Sequence, residues 1–187
     1  SRIEFENGHV ISYLYDADGI KLRTTHIIGS DTTVTDYCGN VIYENGIPVK
    51  LLTEAGYVTL ADSKYHYFVQ DHLGNNRVVV DQSGNVEEVN HYYPFGGLLS
   101  SSVSNAVQPY KYNGKELDRK NGLDWYDYGA RMYDAALGRW HAVDPMSEKY
   151  YSISSYVYGL NTPHNCIDPD GQKIIFVNGY LGFGSPR

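Results

Sequence analysis

Apolar and polar positions alternate in short bursts along most of this chain, and breaks rich in Gly, Asn and Asp separate the bursts. Residues 11–23, ISYLYDADGIKLR, form the clearest unit: an alternating run with Tyr13 and Tyr15, a turn at Asp16 to Gly19, and a second run ending at Arg23. Period-two alternation is the mark of a half-buried strand, so this unit predicts a β-hairpin. Its turn suits the residues, because Asp accepts bonds from nearby backbone amides and Gly takes a positive φ without a side-chain clash. A similar unit spans 65–89, with turns at His72 to Asn75 and Gln82 to Asn85, and residues 37–60 supply further short strands separated after Asn45 and Ala55. The expectation is a meandering antiparallel sheet.

The pattern changes at residues 100–109, SSSVSNAVQP, which are small, polar and aperiodic and predict a linker or surface loop. Beyond them, residues 110–144 are dense in Tyr, Gly and charge, and residues 147–158 fit either one short helix or a final strand pair. Composition favours strands. The chain has 187 residues with 19 Tyr against 5 Phe and 2 Trp, and 19 Gly with 7 Pro supply frequent turns. Most of the aromatic surface therefore carries a hydroxyl that needs a partner or water.

Charge and cysteine usage narrow the function. A net charge of −7 with no basic run argues against nucleic acid as a partner. Cys38 and Cys166 lack any C-x-x-C or Cys/His spacing, and the seven His show no H-E-x-x-H or H-x-x-x-H spacing, so no zinc site, other metal or cofactor is indicated. One disulfide between the two cysteines stays open. No apolar run approaches the ~18–20 residues of a bilayer span, and residues 1–10 do not read as a signal peptide, so the chain is expected to be an excised piece of a longer one.

Residues 71–80 (DHLGNNRVVV), 92–96 (YYPFG), 110–145 (YKYNGKELDRKNGLDWYDYGARMYDAALGRWHAVDP) and 161–171 (NTPHNCIDPDG) resemble, in order, the elements of the core segment of Rhs/YD-repeat proteins. The YLYDADGIKLR unit resembles a YD repeat. The resemblance implies YD-repeat hairpins over residues 1–70, an Rhs repeat-associated core over 71–172, and the start of a variable effector region over 173–187. It implies a mostly β fold in which hairpins form a curved sheet and the core segment wraps back on it, plugging a hollow shell. It further implies a bacterial polymorphic toxin, secreted or held at the cell surface. Its C-terminal effector lies in cis, and an immunity protein or secretion adaptor is a possible partner.

The resemblance also assigns a site. Family members cut themselves just after the terminal D-P-x-G-Leu motif with paired aspartates and an arginine, and those roles fall on Asp144, Asp168 and Arg131, within a motif carrying Pro163, Pro169 and Gly171. The cut falls between Gln172 and Lys173. Two nearby carboxyls cannot both ionise cheaply, so one keeps a proton as acid while the other activates water. Against this stands the plain reading that each Asp-Pro is a turn and Arg131 a structural ion-pair residue. Gln172 replaces the usual Leu, which predicts a vestigial, slow or conditional site. His141 and His164 lie near the two Asp-Pro pairs in sequence, and the Ser run at 100–104 lacks a nucleophile context. A third reading is a carbohydrate-binding module with Trp125 or Trp140 as stacking platforms. The tail KIIFVNGYLGFGSPR reads as a strand and Gly-rich loop, opening an effector or completing the core sheet.

Overall fold

The computed structural model describes residues 1–102, 108–149 and 151–177. Ten strands form one antiparallel sheet in strict chain order. They are β1 (Arg2–Glu4), β2 (Val10–Tyr15), β3 (Lys21–Ile28), β4 (Asp31–Cys38), β5 (Val41–Glu44), β6 (Ile47–Thr53), β7 (Gly56–Thr59), β8 (Lys64–Gln70), β9 (Asn76–Asp81) and β10 (Val86–Val89). A four-stranded sheet follows: β11 (Glu116–Asp118), β12 (Trp125–Asp127), β13 (Met132–Asp134) and β14 (Arg139–Trp140). A two-stranded ribbon, β15 (Cys166–Ile167) and β16 (Ile175–Phe176), ends the described chain.

Three hairpins share one turn chemistry. In D-A-D-G-I, D-H-L-G-N and D-Q-S-G-N, Oδ1 of the leading Asp (Asp16, Asp71, Asp81) accepts from the amides two and four residues on, at 2.8–3.1 Å. The fourth residue is a glycine at φ near +80° each time (Gly19 +80°, Gly74 +75°, Gly84 +84°), a region costly for other residues. The sheet continues through position 70 with a register shift between Val69 and Gln70, as β8 pairs with β9 from His66 opposite Asp81 to Gln70 opposite Asn76.

One face of the sheet is covered. Ile11, Tyr13, Thr24, His26, Ile42, Tyr57, Val79 and Glu88 are buried on it, and residues 108–177 supply the covering layer. The seam between the layers is polar. Lys21 Nζ lies 2.6 Å from Glu116 and 2.8 Å from Asp127. Tyr37 donates to Glu116 (2.7 Å), Tyr15 to Asp127 (2.9 Å) and Tyr13 to Asp118 (2.7 Å), while His26 Nε2 lies 2.9 Å from Asp118.

Above the seam sits an aromatic cluster of Tyr112, Leu117, Tyr126, Tyr128, Tyr133, Trp140 and Tyr158. A buried hydroxyl without a partner costs about 1–3 kcal/mol, and here every tyrosine of the cluster has one. Tyr112, Tyr133 and Tyr126 donate to three consecutive carbonyls, those of Pro94 (3.0 Å), Phe95 (2.8 Å) and Gly96 (2.9 Å). Tyr128 and Tyr158 both donate to Asn113 Oδ1, at 2.7 and 2.6 Å. Gly96 is at φ +89° and a Cβ there would stand 2.6 Å from the Tyr112 ring, so only glycine lets the loop lie flat on the cluster.

Two expectations are refined. Among the described residues of 147–158 there is neither a full helix nor a strand pair: a 3-10 turn covers Ser147–Lys149, and Val157 makes a single bridge to Arg139. The linker expected at 100–109 lies partly outside the described residues, at 103–107. Its ends are anchored, with Gln108 buried and the Ser102 hydroxyl accepting from the His91 amide at 3.0 Å.

Candidate functional site

Arg131 follows the turn between β12 and β13, where Gly129 takes φ +91° and its amide donates to Asp127 Oδ1 at 2.8 Å. That turn drives the arginine inward, to 3% exposure, against the face of Trp140 at 4.2 Å. Four of the five N–H groups of its guanidinium have partners. Nε donates to the Gly171 carbonyl (2.5 Å), Nη1 to the Ser155 carbonyl (3.2 Å), and Nη2 to Oδ2 of both Asp144 and Asp168 (3.2 Å each). The three residues singled out by the motifs therefore meet at one guanidinium.

The strand-to-strand turn from β15 to β16 brings the Gln172–Lys173 bond onto the same site. Asp168 Oδ1 accepts from the amides of Gln172 (2.9 Å) and Lys173 (3.2 Å), and Asp170 Oδ1 accepts from the same two, at 3.0 and 3.2 Å. Gly171 is at φ +76°, and a Cβ there would lie 3.1 Å from the Arg131 amide nitrogen, so the motif's glycine permits both the turn and the close approach. Asp144 Oδ1 accepts from the Met146 amide at 2.7 Å, the turn role expected of an Asp-Pro pair. Pro163 is buried, whereas Pro169 is exposed.

Burial, which outweighs Arg131 and the two amides, raises Asp168 above the ordinary carboxylate value. Burial likewise lowers Arg131 despite its two acids. A cavity of about 10 Å³ lies beside the site, lined by Asp144, Ser147, Ser155 and Ile174. That is room for about one water molecule and for no separate substrate.

The remaining candidates stand apart. Trp140 is 1% exposed beneath Arg131, which corrects the expectation that it serves as a carbohydrate platform: its ring is spent on the core. Trp125 is half-buried with its ring centroid 3.5 Å from that of His141. His141 also lies 3.5 Å from Asp134, and His164 meets His72 through its backbone carbonyl at 3.4 Å, so neither imidazole is seen at the joint. Cys38 is exposed, Cys166 is buried, and both are free thiols. Among the described residues no group of three His, Cys, Asp or Glu side chains is placed to hold a metal. No described helix is long and apolar enough to cross a membrane. At the tail, β16 pairs with β15, Phe176 opposite Cys166 and Ile175 opposite Ile167, while the Gly-rich run at 178–187 lies outside the described residues.

Sequence reasoning missed Asp170, whose signal was the two-residue spacing to the Gln172 amide, and the Glu88 cluster. Glu88 is buried with Lys111 Nζ at 2.5 Å and Gln108 Nε2 at 2.8 Å, and Asn90 also donates to it. The alternation V-E-E-V placed one of its two acids on the covered face.

Comparison with known proteins agrees with this architecture. Salivary gland surface protein 1 of Aedes aegypti is 32% identical across 99% of this chain. Toxin subunit YenC1 of Yersinia entomophaga is 29% identical across 73%, and the tRNA3(Ser)-specific nuclease WapA of Bacillus spizizenii is 28% identical across 91%. The chain spans 6%, 15% and 7% of those proteins' own lengths, respectively. The crystal structure of TcdB2-TccC3-TEV superposes with a TM-score of 0.74 at 20% identity over 91% of this chain and 10% of that one, a likeness of fold. The Teneurin YD-shell family profile matches residues 50–163, and with the ordered motifs and the single meandering sheet this places the chain in the Rhs/YD-repeat family.

Proposed function

We propose that this segment closes a β shell from within and presents a C-terminal effector at its exit, as part of a secreted or surface-held toxin. The observation that carries the reading is the seam: residues 108–177 cover one face of the ten-stranded sheet and run, through the Arg131 grip, directly to the Gln172–Lys173 joint. Relatives described as toxin subunits and as a tRNA nuclease support an effector-bearing parent. Within this reading residues 1–70 are repeat hairpins, 71–172 the core and 173–187 the beginning of the effector region. An immunity protein or secretion adaptor is then the expected outside partner. A reconstruction of the full-length protein by electron microscopy tests it: residues 108–177 should line the lumen of a closed shell with Lys173 at an opening, and their presence on the outer surface would end the proposal.

A second activity, self-cleavage between Gln172 and Lys173, is favoured by the meeting of Asp144 and Asp168 at Arg131, with Asp168 Oδ1 on the Gln172 and Lys173 amides. Asp144 borders the water-sized cavity and suits the base that takes a proton from water. Asp168 Oδ1 accepts from the N–H of the leaving nitrogen, which places this carboxyl beside that atom; once protonated it suits the acid. The water oxygen bonds to the Gln172 carbonyl carbon, the bond to Lys173 nitrogen breaks, and that nitrogen receives the Asp168 proton. Incubating the purified chain from acidic to neutral pH and weighing it tests the step: a cut at this bond is expected, absent in Asp168→Asn. A cut that survives both Asp168→Asn and Asp144→Asn removes the assignment.

A further inference from the structure

The acid that shares the joint amides with Asp168 is not Asp144. Arg131 Nη2 stands between Asp144 and Asp168 and bonds both, a placement that separates the two carboxylates by a cation. Asp170, in contrast, has no cation within ion-pair distance among the described residues, and its Oδ1 accepts from the same two amides as Asp168 Oδ1. An Asp two and three residues before a pair of amides commonly holds them as a turn, as Asp134 does with Ala136 and Leu137 at 2.8 and 3.0 Å. The joint differs in having a second carboxylate on the same pair of amides.

We propose that Asp170 is a further catalytic carboxyl of the self-cleaving centre, acting together with Asp168 on the Lys173 nitrogen; this rests on the self-cleavage reading above. Its contact with the Lys173 amide fixes the leaving nitrogen beside the proton donor. Its negative charge also favours the protonated form of Asp168, reinforcing the upward shift that burial causes. The charged and titratable groups facing Asp168 are Arg131, Asp170, Lys115 and Tyr158, with Asp144 beyond the guanidinium. Asp170 is half-buried and Lys173 exposed, so the freed amine has a way to solvent.

The proton balance closes with water as co-reactant. Asp144 takes one proton from water as its oxygen bonds to Gln172 carbon. Asp168, protonated for this step, gives its proton to Lys173 nitrogen as the C–N bond breaks. The new Gln172 carboxyl group returns a proton to Asp168, and Asp144 releases its own to solvent.

Asp170→Asn is the informative variant, because the amide oxygen still accepts from both backbone N–H groups while the charge is gone. Cleavage of the whole chain is followed by intact mass across pH, with Asp168→Asn alongside and urea unfolding as a check on the fold. The expected result is a rate about 100-fold below wild type, with the fall-off of cleavage at rising pH moved to more acidic values, because Asp168 loses its proton earlier. Asp170→Ser, whose hydroxyl also accepts from the amides, should behave in the same way. Wild-type rate and pH profile in Asp170→Asn, with Asp168→Asn silent, would overturn the role of Asp170 and leave self-cleavage standing. A wild-type chain that stays intact at every pH overturns self-cleavage and this role with it.

Discussion

The seam between the two layers and the joint around Arg131 use the same materials, acids and cations withdrawn from water, and balance them differently. At the seam, donors arrive from the opposite layer in number: Lys21, Tyr15, Tyr37, Tyr13 and His26 serve three carboxylates. At the joint a single guanidinium serves two carboxylates and two carbonyls. The outcome shows in two aspartates. Burial pushes Asp118 up, but hydrogen bonds from His26 and Tyr13 outweigh it and leave the group below its ordinary value. Burial pushes Asp168 up, and the groups around it fail to compensate. An ionised Asp118 therefore stabilises the fold, whereas an ionised Asp168 is a cost the fold carries, the kind of imbalance that clusters at functional sites.

The comparison breaks most visibly at Arg131. Arg131→Met takes the shared cation from Asp144 and Asp168 and the side-chain donor from two carbonyls, and a loss of about 3–5 kcal/mol is expected from urea unfolding at neutral pH. Lys21→Met should cost less, about 2–3 kcal/mol, because tyrosine hydroxyls still serve Glu116 and Asp127. Equal losses would mean that the joint is as well supplied as the seam. The smallest effect, and the sharpest, is in pH. Asp168 binds its proton more tightly folded than unfolded, so its contribution is full below about pH 4 and is lost as pH rises through the folded value. Asp118 does the reverse: its contribution is present above about pH 4 and is lost as pH falls through its depressed folded value. Urea midpoints of wild type against Asp168→Asn and against Asp118→Asn should therefore diverge with opposite slopes on acidification, and parallel slopes would cancel the distinction.

The hairpins were legible in the chain because their determinants are local. An Asp, a Gly three residues on and alternating flanks suffice to define D-A-D-G-I without knowledge of any distant residue. The meeting of Arg131, Asp144 and Asp168 was legible only through the ordered motifs, since spacing does not say which turns face one another. What stayed hidden depends on the second layer. The three carbonyls that receive the Tyr112, Tyr133 and Tyr126 hydroxyls come from one loop, and nothing in the tyrosine content points to it. Trp140 reads in the sequence as an available ring because the guanidinium that covers it arrives through tertiary folding. Asp170 was passed over because its spacing is that of an ordinary turn, and only the neighbouring Asp168 on the same amides sets it apart.

Arg131 grips a carbonyl 40 positions further along the chain, whereas every strand of the large sheet pairs with its immediate neighbour. During synthesis the meander can therefore assemble as each hairpin leaves the ribosome, but the grip has to wait until Gly171 has emerged. Whatever follows Lys173 is thus being translated while its tether is still open, and the clasp shuts last, behind a sheet already built.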